Sequence, residues 1–276
     1  MAGGIAGEDG LSLAVVLDAL ALPADARVEQ RIPKKLLVEQ GAPTATDKRQ
    51  IQDGIDELHW VAALKPTNIG VPAFRDDERE YLEVAVLTVR YRPTAKVARL
   101  TELIHRAIPY PVLLVSAFLD GEANSIGVSA AHKRFSQNEA GKFVVDEVLA
   151  TNPIADQDMQ AENTKSFLAT LALAQLPTSN LFALYQGWLD GIVAFAASGI
   201  TGTFAKPESP EQTAQMRERI AQHSKILDEL SALRTQAGKE KQMNRLVELN
   251  LKIKRLESQL ATTQSALHGT PLKVAS

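Results

Sequence analysis

Two nearly continuous apolar runs with one amphipathic stretch between them form the strongest hydrophobic pattern in the chain. The runs cover residues 81–89 and 110–115, and both are rich in valine and leucine. Between them, apolar side chains recur at helical spacing, at Val97, Leu100, Ile104 and Ala107. This pattern predicts a strand, a crossover helix and a second, parallel strand, joined in the right-handed sense.

Two further strands are predicted downstream, over residues 124–135 and 142–149. Residues 76–151 are therefore expected to form a sheet domain with the order β-α-β-β-β. The predicted fold class is an α/β core of this kind with smaller modules on either side. This conclusion concerns the fold alone, because the pattern implies no reaction.

Residues 11–75 are predicted to form a winged-helix-like module. The expected elements are helices over 11–20, 34–40 and 44–58 and a hairpin of strands over 60–64 and 69–71. In a winged helix the third helix enters the major groove of DNA, and here it would expose Lys48 and Arg49. Acidic residues on the same helix disfavour phosphate approach, so protein contact by a module of this shape is the alternative.

Two helical regions are predicted to follow the sheet, a helical segment over 155–205 and a coiled coil over 208–264. Apolar residues expected in the core of the first are Phe167, Leu168, Leu171, Leu181, Leu184, Tyr185, Trp188, Ile192 and Phe195. Heptad spacing in the second predicts a coiled-coil interface of Leu227, Leu230, Leu246, Leu249, Ile253, Leu256 and Leu260. The spacing slips near Gly238, which favours an antiparallel hairpin over one long helix with a defect.

The composition narrows the classes of function. The chain has 276 residues, a formal net charge of -3 and no cysteine, which excludes disulfides, thiolate zinc sites and cysteine nucleophiles. A global basic field for nucleic acid is absent, so any such binding needs a local patch. The N-terminus lacks signal-peptide features, and the apolar region 167–204 is broken into pieces shorter than the roughly 20 residues of a membrane span. We therefore expect a cytoplasmic protein.

Motifs that carry known chemistry are missing from the sequence. It contains no glycine-rich phosphate loop, no nucleophile elbow and no zinc-protease helix signature. A restriction-type nuclease needs Glu-x-Lys on a strand, but Glu83 is followed two residues later by Ala85. We therefore expect no catalytic residue, no cofactor and no metal site.

Local basic groups are the remaining candidates for contact with nucleic acid or a partner. These candidates are Lys34, Lys35, Lys48, Arg49, His132, Lys133, Arg134, Lys241, Arg245 and Lys252. An anion contact is one interpretation of the cluster at 132–134, and a solvated strand end is the other. Charges beside a coiled-coil seam usually face solvent and pair with neighbouring residues.

Several short motifs resemble a bacterial family known as domain of unknown function four-three-nine-one. The matching stretches are residues 31–39, 47–49, 64–66, 109–112, 131–134 and 239–245, and the likeness extends from about Leu11 to Leu260. Members of that family occur beside helicase and DNA-methyltransferase genes in phage-defence islands. The resemblance implies an accessory role in such a system and supplies no catalytic residue.

The leading hypothesis is a non-catalytic subunit of a DNA-targeting defence complex. Its coiled coil would dock a helicase or DNA-methyltransferase partner, and its N-terminal module would contact protein or DNA. One alternative is a nuclease with an unrecognised site, using Glu83, His132 and Lys133. Another is a homodimeric scaffold.

Overall fold

The computed structural model describes residues 8–137 and 142–268. The chain forms two compact units, Met1–Phe195 and Ala196–Ser276. The strands are β1 (Arg27–Arg31), β2 (Ile55–Leu64), β3 (Phe74–Arg75), β4 (Glu80–Tyr81), β5 (Val84–Tyr91), β6 (Val112–Asp120), β7 (Ala123–Ala130), β8 (Lys133–Phe135), β9 (Phe143–Val145), β10 (Leu149–Ala150) and β11 (Ile154–Ala155). The helices are α1 (Glu8–Ala19), α2 (Lys34–Gln40), α3 (Ala45–Gly54), α4 (Pro66–Ile69), α5 (Val97–Ala107), α6 (Glu162–Leu171), α7 (Leu181–Thr201), α8 (Pro210–Lys239) and α9 (Met243–His268).

A seven-stranded mixed sheet is the centre of the first unit. Its order is β1-β2-β5-β6-β7-β10, and β11 also pairs with β7, at residues Ser125 and Ile126. Strands β5 and β6 are parallel and are joined by α5, whereas the other pairs are antiparallel. The predicted parallel pair with its crossover helix is therefore confirmed.

Helix α5 covers one face of this sheet and forms the main core. Its side chains Leu100, Leu103 and Ile104 are buried against alternate residues of β5, including Leu87 and Val89. Alternation along the strand explains this arrangement, because every second side chain points to the same face. Helices α2 and α3 complete the same core.

The predicted N-terminal module is corrected in two places. The third helix ends at Gly54 rather than near Leu58, and residues 55–64 form β2, which pairs with β5 in the main sheet. A Cβ atom on Gly54 would lie 2.7 Å from Leu100 Cδ1, so glycine allows α3 to end close against α5. The predicted hairpin over 60–71 is wrong, since Pro66–Ile69 is a short helix. The wing of a winged helix is therefore not formed by these described residues.

The third and fourth predicted strands are also corrected. Residues 124–135 divide into β7 in the main sheet and β8 outside it, and β8 pairs with β9 in a separate two-stranded sheet. The edge beside β7 is occupied instead by the short strands β10 and β11. The segment predicted to be helical from residue 155 begins instead with the end of β11 and a 3-10 helix over Asp156–Gln160, and α6 starts at Glu162.

The helical segment packs as the apolar spacing predicts. All nine expected core residues, from Phe167 to Phe195, are buried. The indole Nε1 of Trp188 donates to the carbonyl oxygen of Leu171 at 2.9 Å, so the large buried ring keeps its polar atom satisfied. This contact joins α7 to α6.

The second unit contains the end of α7 and two long helices that pack against each other. Helix α8 begins at Pro210, capped by the Ser209 hydroxyl, which accepts from Gln212 N at 3.3 Å. Arg219 Nη1 donates to Ala266 O at 2.6 Å, and Arg234 Nη2 donates to Glu257 Oε1 at 2.8 Å. Early residues of α8 thus lie opposite late residues of α9, which makes the pair an antiparallel helical hairpin.

The seam of this hairpin differs from the predicted heptads at one position. Leu227 is 45% exposed, whereas its neighbour Ile226 is 6% exposed and faces the partner helix with Leu230. A step of three residues from His223 to Ile226 shifts the buried stripe by one position. In α9 the residues Leu246, Leu249, Ile253, Leu256 and Leu260 keep a regular spacing and are all partly buried.

Candidate functional site

The predicted polar cluster at 132–134 lies beside the amino-terminal ends of the parallel strands. Strand β7 runs antiparallel to β6, and Ala130 pairs with Leu113 at the start of that strand. His132 and Lys133 follow directly. This edge is opposite to the one where α/β sheets usually bind ligands, which is the carboxyl end of the strands.

His132 is held by a chain of hydrogen bonds and ring contacts. Its Nδ1 bonds to the Tyr81 hydroxyl, its Nε2 lies 2.7 Å from Gln186 Oε1, and its ring stacks on Phe182 with centroids 4.9 Å apart. Gln186 Nε2 donates to Asp190 Oδ1 at 2.8 Å, which turns the Gln186 oxygen toward the imidazole. His132 Nε2 therefore carries a proton. Burial raises the pKa of Tyr81, so its hydroxyl remains protonated and donates to Nδ1.

Lys133 is buried rather than displayed to an anion. The side chain is 2% exposed, and its Nζ donates to the carbonyl oxygen of Ile108 at the end of α5. Burial lowers the pKa of Lys133 to about 7. The group is therefore a structural contact whose charge is marginal at neutral pH.

His105 is the second buried titratable group in this region. Its Nε2 lies 3.0 Å from Ser129 Oγ, and its Nδ1 has no hydrogen-bond partner in the part of the chain that the structure describes. Burial, and then the charge of Lys133, lowers the pKa of His105 to about 3. The buried His105 ring therefore contacts β7 and does not cap the carboxyl end of α5.

Arg134 and Glu83, two further candidates, are engaged in ion pairs. Arg134 Nε lies 3.1 Å from Asp146 Oδ1, and Arg79 Nη1 lies 2.7 Å from the other oxygen of that carboxylate. The buried Glu83 carboxylate lies 3.0 Å from Lys65 Nζ. The three groups of the predicted nuclease site, Glu83, His132 and Lys133, are thus each held by different partners.

The basic candidates of the N-terminal segment are also mostly paired. Lys35 pairs with Glu39 at 3.6 Å and Arg49 with Asp53 at 3.3 Å, both one helical turn apart. The carbonyl oxygen of Gln52 accepts from Lys34 Nζ at 3.1 Å, near the end of α3. Lys48 is exposed on α3.

The basic candidates of the hairpin lie around its turn. Glu240 organises that turn, since its Oε1 accepts the main-chain N–H groups of Lys241 and Gln242, each at 2.8 Å. Arg245 and Lys252 line one shallow surface there, which Glu240 and Glu248 also line. Acidic and basic groups therefore alternate on this surface.

A cleft at the carboxyl ends of β5 and β6 was not predicted from the sequence. Its volume is about 340 Å³, and its charged lining comes from Asp56, Arg90, Arg92 and Asp156. Arg92 Nε lies 3.6 Å from Asp56 Oδ1, and the Ser12 hydroxyl bonds to Asp156. The available signal was the pair of arginines two residues apart at the end of a predicted strand, the position where α/β folds bind ligands.

A metal centre and a membrane-spanning helix are two other kinds of site that the described residues could form. Over 8–137 and 142–268, no group of three or more His, Asp or Glu side chains is arranged to hold a metal ion. Among those residues α7 alone is long and apolar enough to cross a membrane, and 72% of its apolar stretch is buried within the protein. Core helices of soluble proteins share these properties.

Comparison with known proteins gives one match. The family model described as Domain of unknown function (DUF4391) matches residues 20–260, which is most of the chain. No curated protein and no solved structure matches. The family description states no activity, so arguments about function depend on the geometry of the molecule.

Proposed function

We propose that this chain, which belongs to the DUF4391 family, is a non-catalytic interaction subunit of a bacterial DNA-targeting anti-phage defence complex. In this proposal the C-terminal hairpin acts as a coiled-coil arm that docks a helicase or DNA-methyltransferase partner. DNA contact by the first unit is a separate part of the proposal. The defence context comes from the resemblance of the sequence motifs to that family.

The observation that carries the docking proposal is a row of exposed apolar side chains on α9. Met243, Val247 and Leu251 are 72%, 51% and 55% exposed. They are spaced by four residues, so they share one helical face. We call this row the outer stripe. It lies away from the seam residues Leu249 and Ile253, at positions that a hairpin folded for its own sake would fill with polar residues.

Packing against a partner would give the outer stripe an energetic role. Burial of a Leu, Val or Met side chain contributes about 1.5–3 kcal/mol relative to exposure. An amphipathic helix or an apolar groove is the surface that matches such a row. Lys254 and Arg255 follow Leu251 by one helical turn and are exposed, so the matching surface should carry acidic residues at that end.

The two alternatives would use the outer stripe or the cleft differently. A second copy of the chain could cover the outer stripe, which would make the protein a homodimeric scaffold. A nuclease would require a catalytic site, and the cleft that contains Asp56 and Asp156 is the better candidate, because the groups at Glu83 and His132 are engaged elsewhere.

Co-elution with the products of neighbouring genes tests the proposal. We expect the parent chain to elute with a helicase or methyltransferase partner and Val247→Lys/Leu251→Lys to elute alone with unchanged helicity. Leu227→Lys is the matched control, since Leu227 is an exposed leucine of α8 outside the outer stripe. Light scattering of the isolated chain distinguishes the scaffold, because a dimer that the double variant converts to a monomer would favour self-association. Co-elution that survives the double variant would overturn docking by the outer stripe.

A further inference from the structure

The missed cleft at the carboxyl ends of β5 and β6 has a lining suited to an anionic group. Tyr91 points into the core, where its hydroxyl lies 2.9 Å from Thr101 Oγ1. Arg90 on β5 and Arg92 just beyond its end flank Tyr91 in the chain, and both line the cleft. Two guanidinium groups from residues two positions apart therefore lie at one small volume.

We propose that this cleft binds the phosphate groups of a nucleic-acid strand. Guanidinium groups match phosphate oxygens in geometry and form charge-assisted hydrogen bonds with them. The volume of about 340 Å³ lies within the range of small-molecule sites, which is roughly 300–1,000 Å³. A single nucleotide unit can therefore enter the cleft while the strand continues outside it.

A second group of basic side chains extends the site along the surface. Arg31 and Lys34 line an adjoining depression that shares Asp56 with the cleft. Burial lowers the pKa of Lys34, and the positive charge of the nearby Arg92 lowers it further. Four basic residues thus lie around Asp56, although Glu57 lines the same depression and is 3.9 Å from Arg31. A backbone with a phosphate at each nucleotide could contact several of these basic residues.

The negative charges of Asp56 and Asp156 repel an anion in the cleft. Each carboxylate has a partner that reduces this repulsion. Asp156 accepts a hydrogen bond from Ser12, and Asp56 pairs with Arg92. Arg92 is only loosely held, because its contact with Asp56 is 3.6 Å long and that with the carbonyl oxygen of Asp53 is 3.5 Å long. A phosphate can therefore recruit the Arg92 guanidinium, and Asp56 should weaken the binding by repulsion.

Phosphate binding in the cleft rests on the DNA contact proposed for the first unit, and its failure would leave docking by the outer stripe intact. The test measures the anisotropy of labelled single-stranded and duplex DNA with the full-length protein across a series of salt concentrations. We expect Arg90→Gln and Arg92→Gln each to weaken binding about tenfold, with a salt slope smaller by about 0.7 per lost phosphate contact on single strands. Arg75→Gln on β3 is the matched control.

Replacement of Asp56, whose charge repels phosphate, should have the opposite effect on binding. Asp56→Asn should strengthen binding, an effect that a purely structural role for Asp56 would not produce. Thermal melts of each variant check folding, and Arg92→Lys retains a charge at the end of α3. A nucleoside monophosphate and inorganic phosphate serve as competitors, and displacement of the strand by either supports a phosphate site. The inference would be overturned if Arg90→Gln left binding unchanged, or if Arg75→Gln weakened binding by the same factor.

Discussion

The side-chain ammonium group of Lys133 donates a hydrogen bond to the main-chain carbonyl oxygen of Ile108, and this contact ties β8 to the end of α5. The lysine is buried, and in the part of the chain that the structure describes this carbonyl is the one polar partner of its Nζ. An ammonium group in such a place is stabilised by the carbonyl but loses its hydration, so its protonation costs free energy.

The stability of the fold should therefore depend on pH through Lys133. The pKa of Lys133 is about 7 in the folded state and 10.5 in the unfolded chain, so between these two pH values the unfolded chain binds more protons. The free energy of unfolding rises with pH across this window, by at most about 1.4 kcal/mol per pH unit. Lys133→Met should remove this contribution in urea titrations at several pH values. Lys165→Met, at an exposed lysine of α6, should leave the slope unchanged, and an equal change in both variants would contradict the assignment.

His105 should make the free energy of unfolding depend on pH in the acid range. Its pKa is lowered from 6.5 to about 3, so the unfolded chain binds the extra proton as the pH falls through this range. The stabilisation is complete above pH 6.5 and is lost progressively down to about pH 3. His105→Gln retains a hydrogen-bonding group near Ser129 but does not titrate, and it should flatten the acid side of the stability curve. His223→Gln on α8 is the control, and a flattening by that variant instead would refute the role of His105.

The parallel pair β5 and β6 with its helix α5 could be predicted from the sequence, whereas β2 beside β5 could not. The β-branched run before Tyr91 matches only a strand, and the apolar spacing from Val97 onward matches only a helix. Ile51, Ile55 and Leu58 also have the spacing of a helix, but Ile55 and Leu58 lie on β2. Pairing of β2 with β5 over many residues decided the conformation there, and such long-range pairing leaves no local pattern.

The two polar sites also differ in how far the sequence predicted them. The cluster at His132 was visible because its residues are adjacent, but its partners Tyr81 and Gln186 come from distant elements. The cleft was missed because Asp56, Arg90 and Asp156 lie on three elements far apart in the chain. Only the topology of the sheet brings these side chains together.

Two neighbouring positions of α9 should separate folding of the hairpin from docking. Ile253 lies on the seam, so Ile253→Lys forces a charge toward an apolar contact and should lower the stability of the hairpin by roughly 2 kcal/mol. Leu251→Lys lies on the outer stripe and should leave helicity and melting temperature unchanged while it abolishes partner binding. Circular dichroism melts and co-elution of both variants give the comparison. Equal loss of helicity in the two variants would show that both positions belong to the seam.

We expect the isolated protein to leave DNA and RNA uncleaved with magnesium or manganese present. Phosphodiester hydrolysis needs metal-held carboxylates or an acid and base with a charge stabiliser, and Glu83 and His132 are bound to Lys65 and Gln186 instead. Glu83→Ala and His132→Ala should therefore alter stability alone. Cleavage by the parent that either variant abolishes at an unchanged melting temperature would support the nuclease alternative, as would cleavage lost in Asp56→Asn.

Hydrogen exchange of the full-length chain, with and without its purified partner, tests the central claim most directly. Partner binding to the outer stripe should slow amide exchange in α9 around Met243, Val247 and Leu251 and in the turn before it. Leu251→Lys should remove this protection, while Leu227→Lys should keep it. Protection confined to the sheet of the first unit, with α9 unchanged in a stable complex, would contradict the account.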